Sequence, residues 1–318
     1  MANTAITGAT SSRRRPRRLL RPGVKRNLEG WLWTSPWIIG MLAFTLIPMV
    51  TSFYWAFTSY DIVNPPKWVG LKNYADLLSD PLVTKSLLNT LYFAGVSVPL
   101  GLVLGLLLAL LVNQNVKGIS FWRTIYYLPA VTATVAYALL WKFMLDRDYG
   151  VINTAMGLVG IQGPSWFSAR WIMPAFIMMS VWTVGGSMII NLSGLQSIPT
   201  ELYDAAKVDG ASGVRLLRHI TLPMMSPVIF YNLLMGIIGA MQSFTTFFVL
   251  TSDPNNSQVP SEIGMVYMVY LYRNAFFLFR MGYGSALAWL LFVIILILTL
   301  FVFRTARSWV HYPGESRS

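Results

Sequence analysis

The 318-residue chain carries 24 Lys and Arg, 12 Asp and Glu, 2 His and no Cys, which gives a net charge of +12. Charged residues make up 11% and apolar residues 55%, and the mean hydropathy is +0.56, whereas a soluble domain has about 25% charged residues. The composition excludes a soluble globular domain, a disordered chain, a disulfide framework and Cys-ligated metal sites, and it indicates an integral membrane protein.

The first 30 residues form a basic tail with eight Lys or Arg and a single acid, Glu29. A basic tail binds nucleic acid when it is attached to a soluble domain, but directly before an apolar helix it is typical of a cytoplasmic anchor on anionic lipid. Trp31, Trp33 and Trp37 follow at once, as in an interfacial aromatic belt. We therefore interpret 1–30 as a cytoplasmic tail that contacts membrane lipid, and expect no nucleic-acid partner.

Six windows have the length of about 20 apolar residues that a ~30 Å hydrocarbon core requires. They are approximately 34–57, 87–113, 121–143, 172–195, 224–250 and 284–303. Four internal prolines are expected to kink or break these helices: Pro48, Pro99, Pro129 and Pro174. The predicted fold class is an all-α integral membrane protein with a six-helix transmembrane domain at 31–310 and a cytoplasmic C-terminal tail at 311–318.

The distribution of positive charge predicts the orientation. If the basic tail is inside, six spans place both termini in the cytoplasm. The inside segments then hold 16 of the Lys and Arg residues and the outside segments hold 8, as the positive-inside rule expects. The tail supplies half of the inside total, so the orientation depends mainly on the first helix. The predicted localisation is a bacterial-type cytoplasmic (inner) membrane, with a multi-pass chain.

Two loops on the predicted outer side differ in character. The 58–86 loop is rich in turn residues and too short for an independent domain. The 251–283 loop opens with turn residues at 252–257 and becomes apolar and aromatic at 263–279. That second part is expected to lie along the membrane surface or to cover the mouth of a pore.

Small and polar residues recur every three or four positions in the fourth and fifth windows, which places them on one face of each helix. Such a face either lines a path for a polyhydroxylated solute or packs tightly against a neighbouring helix. Both interpretations remain open for the hydroxyl and amide side chains. The candidate pathway residues are Ser187, Asn191, Asn232, Gln242, Ser243 and Thr246.

The segment between the fourth and fifth windows, 196–223, has the pattern of two short helices. Thr200 is a possible N-cap of the first helix, Gly210 and Gly213 end it, and the second helix is expected at Val214–Thr221. The segment is either a linker that packs on its own bundle or a helix that docks on another protein. Its many small residues would allow a partner's backbone to approach closely.

The same loop carries Asp204-Ala205-Ala206, then Gly210 after three residues, and Ile220-Thr221-Leu222-Pro223 after nine more. This spacing resembles the EAA loop of binding-protein-dependent ABC importer permeases, in which the first position is Glu. Asp204 keeps the carboxylate on a stem one methylene shorter. Further motifs resemble the carbohydrate-uptake branch, the maltose/glycerol-3-phosphate permease type. They lie at 68–74, 121–129, 149–153 and 194–199.

The resemblance implies one of two permease subunits that work with a dimeric ATP-binding cassette ATPase and an extracytoplasmic solute-binding protein. The implied function is import of a sugar or oligosaccharide, with glycerol 3-phosphate or a polyol as the alternative. ATP and Mg²⁺ would bind the partner ATPase, and no cofactor, metal or catalytic residue is expected on this chain. The residues that the resemblance implies in ATPase coupling are Glu201, Asp204, Ala205, Ala206, Gly210, Ile220, Leu222 and Pro223.

Two other function classes fit the sequence less well. An ATP-hydrolysing enzyme would need a Gly-x4-Gly-Lys-Ser/Thr loop, which the sequence lacks, and His219 and His311 have no acid–base partner in sequence. An ion-coupled secondary transporter usually needs ionisable groups inside the membrane, and no window has one near its middle. Energy for transport is therefore expected from a separate ATPase.

Overall fold

The computed structural model describes residues 22–252 and 262–311. Most of the basic tail, the turn residues after position 252 and the C-terminal tail from position 312 therefore lie outside the described residues. The chain divides into two units, residues 1–52 and 53–318.

The first unit is helical from Pro22 onward. Helix α1 (Pro22–Met41) leads through a π-helical turn at Leu42–Leu46 into α2 (Ile47–Trp55), which continues into the second unit. Trp31, Trp33 and Trp37 are 67%, 83% and 68% exposed. An exposed aromatic and apolar surface of this kind suits contact with lipid.

The second unit is built from helices, with a two-stranded ribbon that the all-α expectation did not include. Strands β1 (Thr58–Ser59) and β2 (Lys67–Trp68) pair antiparallel, with Thr58 opposite Trp68. The helices that follow in this unit are α3 (Lys72–Ser79), α4 (Pro81–Val112), α5 (Ile119–Tyr127), α6 (Thr134–Met144), α7 (Val151–Leu158), α8 (Ile172–Trp182), α9 (Gly185–Gln196), α10 (Thr200–Val208), α11 (Gly213–Leu216), α12 (Leu222–Met241), α13 (Thr245–Thr251), α14 (Tyr267–Tyr272) and α15 (Met281–Trp309).

The six predicted windows correspond to four helical segments and two bent pairs within the described residues. The four segments that are long and apolar enough to span a membrane are Glu29–Trp55, Pro81–Val112, Gly213–Thr251 and Met281–Trp309. The third window is bent by 96° between Val131 and Thr134, and the fourth by 43° between Trp182 and Gly185. The six-span prediction is confirmed with each bent pair counted as one span.

The prolines account for one of the two bends. Pro129 lies in the 3₁₀ turn Leu128–Val131 at the 96° bend, as expected for a residue that cannot donate an amide proton. Pro174 lies in the first turn of α8, where helical amides have no partner in any case. Helix α4 continues through Pro99. The bend of the fourth window has no proline, and it lies where Gly185 closely approaches α5.

The second unit contains two apolar cores. The larger core includes Phe93, Trp141, Phe176, Phe247 and Tyr267. The smaller core, which we name the plug cluster, joins the last turns of α4 to α9 and the first turns of α12. The buried members of the plug cluster are Ala109, Val112, Met188, Leu192, Leu195, Ile198 and Met225.

Residues 264–275 of the apolar stretch pack inside the second unit, whereas Phe276, Leu278 and Phe279 at its end are exposed. Tyr267 in α14 is fully buried, and its backbone N–H donates to Thr90 Oγ1 at 2.9 Å. Asn89 Nδ2 donates to the Met265 carbonyl, also at 2.9 Å. These bonds join α14 to α4, so α14 belongs to the helix packing of this unit.

The first turn of α4 is tied to α14 and α15 through one carboxylate. Asp80 Oδ1 accepts from the Leu82 N–H at 2.9 Å, while Oδ2 accepts from Tyr270 Oη and, at 2.7 Å, from Tyr283 Oη. Burial by itself raises the pKa of Asp80, but the hydrogen bonds from Tyr270, Tyr283 and the backbone of Leu82 and Val83 together outweigh burial and hold the pKa below its usual value.

Candidate solute pathway and the 196–223 loop

A cavity of about 510 Å³ lies between the helices of the second unit. It is bordered by α4, by the turn between α5 and α6, and by α6, α8, α9, α12 and α13. Its lining consists of Phe93, Ser97, Val98, Gly101, Leu102, Pro129, Ala130, Thr132, Thr134, Tyr137, Phe176, Met179, Ser180, Thr183, Ser187, Ile190, Asn232, Met235, Gly236, Gly239, Ala240, Ser243, Thr246 and Phe247.

The cavity wall is uncharged and combines hydroxyl groups with aromatic rings. Ser180, Thr183 and Ser187 each donate their hydroxyl proton to a carbonyl three residues earlier, at 2.7 to 3.0 Å. Each hydroxyl oxygen therefore keeps lone pairs that can accept a proton from a ligand. Phe176 and Phe247 pack with ring centroids 3.9 Å apart. Hydroxyl acceptors beside aromatic faces suit a polyhydroxylated molecule with apolar C–H surfaces.

Interruptions in the helices lie at the cavity. The break between α8 and α9 brings Gly185 against α5, where an added Cβ would lie 1.9 Å from the Tyr126 carbonyl oxygen, so a side chain cannot be accommodated there. A second interruption, Gln242–Phe244, separates α12 from α13. Irregular backbone at membrane depth is tolerated where it is buried in protein or lines a cavity.

Four of the six candidate pathway residues line the cavity: Ser187, Asn232, Ser243 and Thr246. Asn191 does not, because it is 1% exposed behind the wall and accepts a hydrogen bond from Asn232 Nδ2 at 2.9 Å. Gln242 was expected on the same helical face as Asn232. However, α12 ends at Met241 and the Gln242 side chain is exposed outside the lining, so that expectation is wrong.

The sequence reasoning missed the wall that α4 and α6 contribute. Ser97 and Gly101 recur at a spacing of four in the second window, which is the same signal used for the fourth and fifth windows. Tyr137 is a phenol inside an apolar window, and its Oη donates to the Met179 carbonyl. The bend at Pro129 then brings α6 to the cavity, and nothing in the window's hydropathy indicates a bend of 96°.

The 196–223 loop contains the short helices in nearly the predicted places. Pro199, with a ψ of 131°, occupies the N-cap position. Thr200 is therefore the first helical residue, and its prediction as N-cap is wrong. The second predicted helix is not separate, because α11 passes through the π-helical turn Leu217–Thr221 directly into α12.

Gly210 ends α10 in a left-handed conformation, with φ +76°. The Ala211 N–H donates to the Ala206 carbonyl at 2.8 Å, and the Gly210 N–H donates to the Lys207 carbonyl at 3.0 Å, which is the hydrogen-bond pattern of a Schellman motif. An added Cβ at Gly210 would meet nothing within 4 Å. The conformation, rather than a close contact within this chain, therefore requires glycine here.

Helix α10 packs one face against the plug cluster, and its opposite face is exposed. Tyr203 packs against the plug cluster, and its Oη lies 3.0 Å from Thr221 Oγ1. Asp204 is 70% exposed and pairs with Lys207 Nζ at 3.1 Å. Val208, at 88% exposed, is an apolar side chain on the same outward surface.

The predicted coupling residues divide in the same way. Glu201, Asp204, Ala205 and Gly210 are exposed, and Ala206 is half-buried. Ile220 packs against the plug cluster, while Leu222 and Pro223 form the first turn of α12. The loop thus places a carboxylate and small residues outward while its second half is anchored in the bundle.

Comparison with known proteins relates most of this chain to membrane transport. A family model described as "Binding-protein-dependent transport system inner membrane component" matches residues 101–309. The probable ABC transporter permease protein YesP of Bacillus subtilis (strain 168) is 40% identical over 92% of this chain and 94% of that protein. The trehalose/maltose transport system permease protein MalF of Thermococcus litoralis is 32% identical over 87% and 93%.

A solved structure has the same fold. It is a bacterial ABC transporter involved in the import of the acidic polysaccharide alginate, with 26% identity, a TM-score of 0.79, and coverage of 90% of this chain and 97% of the other. A second crystal structure of the alginate transporter, in complex with an alginate pentasaccharide-bound periplasmic protein, gives the same identity and TM-score.

Proposed function

Because the chain belongs to the family of inner membrane components of binding-protein-dependent transport systems, we propose that it is the transmembrane subunit of an ATP-driven importer of a sugar or oligosaccharide. The observation that carries the solute class is the uncharged, hydroxyl-rich and partly aromatic wall of the 510 Å³ cavity. Similar permeases are named for trehalose/maltose and for arabinooligosaccharides.

The lining of the cavity also favours a sugar over glycerol 3-phosphate as the transported solute. A phosphate ester carries up to two negative charges, and Arg or Lys would be expected to compensate them in a low-dielectric bundle. No lining residue is a cation. A neutral polyhydroxylated solute can instead exchange hydrogen bonds with Ser180, Thr183 and Ser187, and can place a C–H face on an aromatic ring.

The chain is a transport subunit, and we propose that a separate ATPase dimer, which holds ATP and Mg²⁺, docks on the outward surface of α10. Exposed Asp204 and Val208 provide one ionic and one apolar contact. A second permease subunit would complete the membrane assembly, and an extracytoplasmic binding protein would deliver the solute. In this arrangement the 196–223 loop and both termini are cytoplasmic.

Uptake measurements test the solute class directly. Cells that contain the complete transporter are given radiolabelled maltose, lactose and arabinobiose, with glycerol 3-phosphate as the anionic comparison. We expect uptake of at least one sugar and none of the phosphate ester. Uptake of glycerol 3-phosphate alone would contradict the sugar assignment.

Co-purification tests the docking surface. Asp204→Ala removes an exposed carboxylate whose ion pair contributes at most about 1 kcal/mol to stability, and Asp209→Ala, at the exposed end of the same helix, is the matched control. We expect Asp204→Ala to reduce the amount of co-purified ATPase severalfold at unchanged expression, and Asp209→Ala to have little effect. Equal amounts of co-purified ATPase with both variants would show that Asp204 does not contribute to the docking surface.

A further inference from the structure

The cavity ends at a defined level on the side of the 196–223 loop. The last lining residues in that direction are Leu102 on α4, Ile190 on α9 and Asn232 on α12. Apart from Met188, the buried members of the plug cluster lie nearer in sequence to the 196–223 loop than these residues do, and none of the buried members lines the cavity. From Asn232 to the start of α12 is ten residues, or about 15 Å of helix.

One polar contact joins two of these helices at that level. Asn232 Nδ2 donates to Asn191 Oδ1 at 2.9 Å, across 41 positions of sequence. Asn191 is 1% and Asn232 is 8% exposed. If Asn191 and Asn232 separate, the Asn191 amide loses a hydrogen bond that lipid and apolar side chains cannot replace. The hydrogen bond therefore favours the conformation in which α9 and α12 are in contact.

Helix α4 is also in close contact with α9 beside Asn191. An added Cβ at Gly105 of α4 would lie 2.3 Å from Ser187 Oγ and 3.3 Å from Asn191 Nδ2. One turn further along α9, an added Cβ at Gly194 would lie 2.8 Å from Val228 Cγ2 of α12. Close approach at two glycines leaves no passage for a solute between α4, α9 and α12 at this level.

We infer that the Asn191–Asn232 pair is a latch that holds the cavity closed toward the 196–223 loop and that separates when solute leaves on that side. The inference rests on the proposed function, since it treats the cavity as the solute path. Asn191 is a positioning residue here: it does not line the cavity, and it acts by holding Asn232 and the contact between α9 and α12. Because α9 leads into α10 within four residues, movement of the loop is transmitted to the latch through α9.

The latch can be tested by thiol accessibility, because the chain contains no Cys. Ser180→Cys places a single thiol on the cavity wall, and an impermeant maleimide is applied to membrane vesicles that contain the assembled transporter. A separate Ser212→Cys chain identifies the vesicles in which the 196–223 loop faces the reagent. With the latch intact we expect slow labelling from that side, and with Asn191→Ala we expect the rate to rise at least tenfold.

The pair must also behave as a unit. Asn232→Ala should raise the rate as much as Asn191→Ala, and the double variant should add little to either. Leu192→Val is the matched packing control, since it shortens a buried neighbour of Asn191 without changing a hydrogen bond. An unchanged rate in both alanine variants, additive effects in the double variant, or an equal rise with Leu192→Val would each overturn the latch.

Labelling needs neither a sugar nor ATP. A failure of the sugar assignment in uptake would therefore leave the accessibility result intact, and a failure of the latch would leave the uptake result intact.

Discussion

The 196–223 loop and the cavity are assembled in opposite ways. The loop is made of residues adjacent in sequence, and its form follows from local features such as the positive φ of Gly210. The cavity is made of residues from helices far apart in sequence, and its form follows from close helix contacts such as that of Gly185 with Tyr126. The loop is exposed and charged, whereas the cavity wall carries no charge. Substitutions in the loop should therefore disturb docking, whereas substitutions at the close helix contacts that shape the cavity should disturb the fold.

The largest loss of folded protein is expected from a substitution at the close backbone contact between Gly185 and Tyr126. Gly185→Ala places a Cβ 1.9 Å from the Tyr126 carbonyl oxygen, and overpacking of this kind costs about 3 kcal/mol. We expect little folded protein after detergent extraction, measured by size-exclusion chromatography. Gly186→Ala is the control, because its Cβ would lie at an ordinary 3.7 Å from Ala130. Comparable yields of the two variants would contradict the close contact.

In the 196–223 loop, a substitution that strains the backbone should impair docking of the ATPase while leaving the fold of the chain intact. Gly210→Val forces a β-branched side chain into a left-handed conformation at φ +76°, which favours a different end of α10. We expect normal membrane insertion and at least a tenfold loss of sugar uptake. Gly210→Asn, which tolerates this conformation, should retain most of the uptake. Normal uptake by Gly210→Val at normal expression would exclude the loop from coupling.

A smaller effect is expected when the cavity is filled without disturbing its walls. Gly239 lines the cavity, and an added Cβ there meets nothing within 4 Å. Gly239→Leu should reduce uptake severalfold while the melting temperature and ATPase co-purification stay unchanged. Gly95→Leu, on α4 with the same free space but outside the lining, is the matched control. An equal loss of uptake with both variants would show that filling the cavity is not what impairs transport.

The smallest effect concerns neither region but the first turn of α4. Hydrogen bonds hold the folded-state pKa of Asp80 below its ordinary value of 3.8, so its stabilising contribution is present above pH 3.8 and is lost as the pH falls through the folded-state pKa. Asp80→Asn keeps an acceptor for Tyr270 and Tyr283 but removes the charge, which we expect to cost about 1 kcal/mol at pH 7.

Thermal unfolding in detergent measures this contribution. The difference in melting temperature between Asp80→Asn and the unmodified chain should be present at pH 7 and should shrink below pH 3.8. A difference that is constant with pH would show that the carboxylate charge is not responsible.

The sequence predicted local features and long apolar segments well. Window lengths gave the six spans, and glycine spacing gave the end of α10, because both depend on residues that are close in sequence. The Schellman motif follows from the left-handed conformation that Gly210 adopts without a steric cost. Pro129 marks the position of one bend, but α4 continues through Pro99, so a proline in the sequence does not by itself predict a bend.

The site was predicted only in part, because its wall depends on helix interruptions. The period of 3.6 residues places Asn191 on one face of the fourth window, and it places Asn232, Gln242 and Ser243 on one face of the fifth window. Gln242 leaves that face because α12 ends one residue earlier. Asn191 lies behind the wall because Asn232 of another helix bonds to it, and a contact across 41 positions has no signature in a single helical pattern.

The most direct test of the account is whether the cavity is the solute path. Ser243→Cys introduces a single thiol in the lining, and Ser193→Cys introduces one on the exposed face of α9. Cells carrying either variant are treated with a bulky thiol reagent, with and without the sugar that gives the highest uptake. We predict that modification abolishes uptake only in Ser243→Cys and that the sugar slows the modification. Full uptake after complete modification of Ser243→Cys would contradict the account.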